Sequence, residues 1–237
     1  MKTPFKFAIC VLSPLLLASI ALGQQDYVGR FDVYAGYMYL RIPLLGLGQT
    51  GFNTQIGMQP AKWYSLGFDF SEGTGDTVLT TTMLKSSVQQ LIGAQLAPLK
   101  SAGLLPANYE PVVPLHSRSQ TYAVGGKINY RHFRAVTLFV NPDLGVIHEA
   151  TILHPSPTDP IAVALVTQLA PSRTKEEYTC FYGVGGGANF SVTRRLLLKV
   201  HVDFVRDHLF SDILNWQNSV RFSVGPVFQF GKDIAAQ

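Results

Sequence analysis

The stretch RFSVGPVFQF, Arg221 to Phe230, decides the fold. Every second residue is apolar (Phe222, Val224, Pro226, Phe228, Phe230), and Arg221, Ser223, Gly225, Val227 and Gln229 between them are mostly polar or small. Successive side chains on a strand point to opposite sides, so this segment reads as a strand with two unlike faces. In a soluble sheet the apolar face meets the core. In a transmembrane barrel it meets lipid, and the polar face lines the lumen.

Composition narrows the choice. The 237 residues are 47% hydrophobic and only 14% charged, well below the quarter usual for soluble domains. Lys2 and Lys6 precede an apolar run from Phe7 to Ala21 and the small-residue pattern Ala21-Leu22-Gly23, which reads as a secretory signal peptide over 1–23 with a mature domain over 24–237. The run is shorter than the roughly 20 residues a spanning helix needs. Without Lys2 and Lys6 the balance is 17 basic to 15 acidic residues, so no nucleic-acid partner is expected. The mature chain has a single cysteine, Cys180, and therefore no intramolecular disulfide.

The same alternation recurs in FDVYAGYMYL, GFNTQIGMQ, WYSLGFDFS, TYAVGGKINYR, VTLFVNPDLGVI, YTCFYGVGGGANFSV and LLLKVHVDF. With RFSVGPVFQF that makes eight segments of about ten residues, the length of a tilted transmembrane strand. The expected fold is all-β: an eight-stranded antiparallel up-and-down transmembrane β-barrel with two long, partly helical extracellular loops.

The pooled polar faces hold Arg30, Lys127, Lys199 and Arg221 with Asp32, Asp69, Asp143 and Asp203, four charges of each sign. An eight-stranded barrel is just wide enough for its own side chains, so these charges must pair and plug it. Inward glycines are read as making room for long Lys and Arg side chains. His201 is expected to partner Asp32, Asp69 or Asp143. Tyr64, Tyr130, Phe190, Phe228 and Phe230 are assigned to one aromatic girdle, and Tyr37, Tyr39, Phe70, Tyr182 and Trp216 to the other. Pro226 removes a ladder hydrogen bond, and a bulge is expected there.

YVGRFDVYAGYMYLR, GFNTQIGMQPAKWYSLGFDFSEG, YGVGGGANFSVTRRLLLKVHVDF and SVRFSVGPVFQFG together resemble the OmpA-type outer-membrane β-barrel family of Gram-negative bacteria. The resemblance implies a cell outer membrane location and contact with outer-membrane lipid. The last strand is similar to the signal read by the barrel assembly machinery, with Ser223, Gly225, Phe228 and Phe230 in its defining places.

Short turns at Pro60-Ala61-Lys62, Arg131 to Arg134 and Thr193 to Arg195 are assigned to the periplasmic side, and loops 72–119 and 150–177 to the outside, where they offer a surface for an extracellular ligand. In the first, Leu84, Val88, Leu91, Ile92, Leu96 and Leu99 share a helical face, with Thr81 or Thr82 as cap, Pro98 as kink or stop, and Gly103 at the far end. In the second, Asp159-Pro160 starts a run whose Ile161, Leu165, Val166 and Leu169 share a face. The bland reading is that each helix only covers strand edges.

The run Gly183 to Gly187 lies inside an alternating strand and lacks the strand-glycine-helix order of a nucleotide loop. An outer-membrane lipid hydrolase would need a histidine beside a serine, and His116 with Ser117 or Ser119, or His154 with Ser156, are the available pairs. A narrow low-conductance channel is the third class. The reading adopted is a structural or surface-interaction barrel, not an enzyme, with no catalytic, metal or cofactor site.

Overall fold

The computed structural model describes residues 27–133 and 135–235, so the expected leader over 1–23 lies outside the described residues. Among them, eight strands form one closed antiparallel ring in chain order: β1 (Gly29–Ile42), β2 (Leu47–Ala61), β3 (Tyr64–Thr80), β4 (Val112–Tyr130), β5 (Val136–Leu153), β6 (Thr174–Ser191), β7 (Leu196–Asp207) and β8 (Gln217–Asp233). Pairing of β1 with β8 closes the ring and leaves no free edge.

All eight expected strands are present, but β3 to β6 run 17 to 19 residues, far beyond the ten expected. The loops taken as 72–119 and 150–177 therefore shrink to 81–111 and 154–173. Strand pairing continues because the ladder Thr74↔Arg118 to Thr80↔Val112 still supplies every backbone partner above the apolar band.

Side chains alternate strictly between exterior and interior. In β8, Phe222, Val224, Pro226, Phe228 and Phe230 are exposed and Arg221, Ser223, Gly225, Val227 and Gln229 are buried. In β1 the apolar exterior runs from Phe31 to Tyr39. Nine residues at about 3.3 Å each, tilted about 40°, rise about 23 Å, close to the ~25 Å lipid band of outer-membrane barrels.

Two expectations about the closing seam are corrected. Pro226 makes no bulge: the β1–β8 register is unchanged from Tyr34↔Val227 to Tyr37↔Val224. The strands instead approach so closely here that a β-carbon on Gly225 would overlap the Ala35 carbonyl oxygen and the Gly36 α-carbon. The register shift lies between Gly29 and Phe31, and it turns Arg30 outward beside Phe31.

The outer loops carry two helices, α1 (Ser86–Ser101) and α2 (Pro160–Leu169). In α1, Ile92 and Leu96 are buried, as is Leu84 just before it, but Leu91 is exposed because the inward face repeats every four residues. Thr81 and Thr82 do not cap α1: Thr81 begins a short 3-10 turn, and Lys85 occupies the cap position without a side-chain bond. Pro98 sits in the last turn without ending it: it forfeits one backbone bond, to the Ala94 carbonyl, and the helix runs on to Ser101. The end is a Schellman motif. Gly103 N–H donates to Lys100 O (3.1 Å) and Leu104 N–H to Leu99 O (3.0 Å), with Gly103 at φ +72°. At α2, the Asp159 carboxylate caps Ile161 N–H (3.2 Å) and Ala162 N–H (3.0 Å).

Candidate functional site

The interior has two storeys. In the lower one Arg221 on β8 reaches across to β3: Nη1 donates to Asp69 Oδ1 and to Ser71 Oγ, both at 3.0 Å, while Nε donates to Asp203 Oδ2 on β7 at 2.9 Å. Lys199 on β7 and Lys127 on β4 both donate to Gln55 Oε1 on β2, at 2.7 and 3.2 Å. The Lys199 ammonium also lies 4.6 Å from the Tyr34 ring centroid and 5.2 Å from that of Phe139. Asn53 donates to Asp69 (2.8 Å), and Gln59 to Asp32 (2.9 Å). Asn141 donates to Asp143. These chords span the barrel and occupy its cross-section.

Of the nine residues assigned to the lumen network from sequence, Asp32, Asp69, Lys127, Asp143, Lys199, His201, Asp203 and Arg221 are buried. Arg30 is not, because of the bulge described above. Its place as fourth cation falls to Arg131 at the β4–β5 turn, whose Nη2 donates to Gln59 Oε1 (2.8 Å) and Nη1 to Thr137 Oγ1 (3.1 Å). Gln59 relays this to Asp32. His201 does not partner Asp32, Asp69 or Asp143; its Nε2 lies 2.8 Å from both Asn141 Oδ1 and Asp203 Oδ1. The inward glycines make room for carboxylates more than for cations, since a β-carbon at Gly125 or Gly185 would overlap Asp143 or Asp203.

The upper storey is a correction to the uniformly polar lumen expected from the sequence. Met38, Leu40, Ile42, Leu47, Ile147 and Phe181 point inward and pack with Leu84, Ile92 and Leu96 from the α1 region, Leu165 of α2, and Leu209, Phe210 and Leu214 of the β7–β8 loop in one hydrophobic cluster. The two helices are thus the roof of a core, each burying an apolar stripe inside the mouth. Tyr109 fastens them by donating to both Asp159 oxygens at 2.7 Å, and burial together with that carboxylate pushes its phenol well above the usual range.

Within the upper storey lies a small polar ring. Ser117 donates to Glu149 Oε1 (2.5 Å), Gln49 to Ser117 (2.9 Å) and Ser119 to Gln49 (2.5 Å). Glu149 is 2% exposed and lies above the lipid band, level with Glu177. Burial pushes its carboxyl up to about 7; the Ser117 bond opposes the rise and the Asp207 charge adds to it. A carboxyl raised this way holds its proton more tightly in the folded state, so stability is full below about pH 4.5 and falls as pH rises to about 7, by of order 3 kcal/mol for Glu149. The urea midpoint is expected to drop between pH 5 and 7.5, and Glu149→Gln to flatten most of that slope; an unchanged slope in the variant contradicts it.

The paired His and Ser needed for hydrolysis do not meet. His116 points outward and its Nδ1 contacts Asp76 (2.8 Å), whereas Ser117 and Ser119 point inward. Neighbours on a strand face opposite sides. Ser156 contacts Thr158 (2.7 Å), and His154 is exposed. Gly183 to Gly187 stay within β6. Cys180 is exposed on the outside of β6.

The exterior carries aromatic rows at both borders of its apolar band. Phe31 stacks on Phe230 (5.7 Å) at the lower edge, and Phe52, Phe70 and Tyr122 form a chain (5.8 and 5.1 Å) at the upper one. Polar contacts begin just above: the Arg118–Glu72 ion pair (2.6 Å) and His116 against Asp76 (2.8 Å). Exposed Ile56, Phe68, Val124, Ile128, Val140 and Leu144 fill the band between. A continuous apolar belt of this extent, edged by aromatics and then charges, is a lipid-facing surface.

No protein-family model matches the chain, and no curated protein matches it by sequence. Among solved structures it is similar to Ail, the attachment invasion locus protein of Yersinia pestis, with 12% identity, TM-score 0.49, and 85% of this chain and 99% of that chain covered. It is also similar to neisserial surface protein A (13%, TM-score 0.46, 84% and 97% covered). OprG from Pseudomonas aeruginosa is a further one (8%, TM-score 0.47, 88% and 100% covered). The closed ring, its greasy belt and its antiparallel up-and-down order give this chain the fold of an eight-stranded transmembrane β-barrel.

Proposed function

We propose that the protein is an outer-membrane barrel of structural or surface-interaction type with a self-plugged lumen, held among outer-membrane lipids and presenting its roofed mouth to the exterior. One observation carries this reading: the ion pair of Arg221 with Asp69 and the bonds of Lys199 and Lys127 to the Gln55 amide run between non-neighbouring strands and fill the cross-section. Opening a path would mean separating buried ion pairs, a costly step in a low-dielectric interior. The apolar roof adds a second seal. Ser223, Gly225, Phe228 and Phe230 serve in this proposal as the handle for the assembly machinery; Phe228 and Phe230 face outward, where a partner can read them.

The test is single-channel recording in planar bilayers. The purified protein is expected to give no discrete conductance steps, and Lys127→Ala and Lys199→Ala to change nothing. Regular steps in the wild type that shift in either variant would establish the narrow-channel reading instead. Lipid A mass analysis with and without the protein, expected to show no difference, addresses hydrolase activity.

A further inference from the structure

Roof and barrel do not fill the upper storey completely. A cavity of about 70 Å³ remains between β2, β4 and β5 on one side and α1, α2 and the β7–β8 loop on the other. That is about five times the minimum space for one water molecule, yet the walls offer water almost nothing to bond. They are built from Leu47, Leu115, Ile92, Leu165, Val166 and Leu214. Both charged side chains at its border are already engaged: Glu149 accepts from Ser117, and Lys175 is paired with Asp212 at 2.5 Å. A cavity with such walls stays dry, and close-packed interiors rarely tolerate one. It is not sealed: half-exposed Leu79, Thr81 and Leu169 line a way in between the end of β3 and the end of α2.

We propose that this cavity is a binding site for a small uncharged apolar molecule, or for the end of an alkyl chain, admitted from the extracellular side. Charge is excluded because both charged side chains in the walls are already engaged and the remaining polar lining is threonine hydroxyl, which cannot neutralise an ion. Large ligands are excluded by volume. Entry through the Leu79–Leu169 gap requires the roof to part from the strand ends without disturbing the ion-paired storey below. The inference deepens the surface-interaction reading by naming a ligand class, and it rests on that reading for the side from which the ligand arrives.

Xenon tests it directly, since it suits dry apolar cavities of this kind. In lipid nanodiscs, methyl resonances of Leu115, Leu165 and Val166 are expected to shift along a saturating curve as xenon pressure rises. Those of Val124, Ile128 and Val140, which face lipid, are expected to shift linearly, as partitioning into the bilayer dictates. Val166→Phe and, from the strand side, Thr151→Ile fill the space and are expected to abolish the saturating component. Thr151→Ile leaves both helices untouched, so it stays informative if Val166→Phe disturbs the roof. A linear response at the lining methyls, or a saturating one that survives both substitutions, would overturn the proposal. None of these results bears on conductance, whereas channel steps would overturn the plugged-barrel reading and leave the cavity intact.

Discussion

Replacing Arg221 by methionine is expected to destabilise the barrel by about 3–5 kcal/mol, the largest effect of any single lumen substitution. The guanidinium joins Asp69 and Asp203, and all three are buried. Methionine keeps much of the length but leaves two carboxylates uncompensated in the low-dielectric interior, where an unpaired charge costs far more than a pair repays. Arg221→Lys is expected to rescue little, because a single ammonium cannot reproduce the planar fork that meets Asp69, Ser71 and Asp203 together. Arg221→Met combined with Asp69→Asn and Asp203→Asn is expected to recover most of the loss. Reversible urea unfolding in lipid vesicles, followed by the fluorescence of Trp63 and Trp216, measures all of these. A cost under about 1 kcal/mol, the value of a solvated ion pair, would mean that water reaches the charges and the lumen is not plugged.

The second large effect concerns orientation. Val200 lies at the centre of the exposed face of β7, between Leu198 and Val202, and is 41% exposed; Val112, on the extracellular extension of β4, is 45% exposed. Solvent exposure alone would predict the same response to arginine at both. Hydrocarbon separates them: Val200→Arg is expected to cost about 2–4 kcal/mol, as a cation at mid-bilayer does, and Val112→Arg to fall within about 0.5 kcal/mol of wild type. The readout is the urea midpoint in vesicles. Equal, near-zero values would place the exterior in water and remove the lipid-facing belt.

What the sequence made legible is what lipid imposes. Within the belt one face must be apolar, so period-two alternation runs uninterrupted through β1, β5 and β8 and gives strand identity, side and neighbours at once. Above the belt that constraint disappears. In VVPLHSRSQ, Val113, Leu115, Ser117 and Ser119 point inward and Val112, Pro114, His116 and Arg118 outward, so each face mixes polar and apolar residues and the alternation in hydropathy fades although the strand continues. Glu149 and Gln49 were hidden for the same reason, lying just beyond the ends of the segments that alternate. Arg30 failed differently. Counting by twos across Gly29 presumes no bulge, and one inserted residue moves a charge from lumen to surface. The His201 partner was missed because pairing within a strand, two residues apart, is as near as pairing across the lumen.

The unequal strand lengths give the rim a slant. β7, at 12 residues, stops near the lipid headgroups, while β4, at 19, continues well above it. The mouth is therefore cut obliquely, like the nib of a pen. A bulky object descending along the membrane normal meets the raised parapet carrying Val78, Val112 and Ile152 before it meets the low side by Arg206 and Trp216.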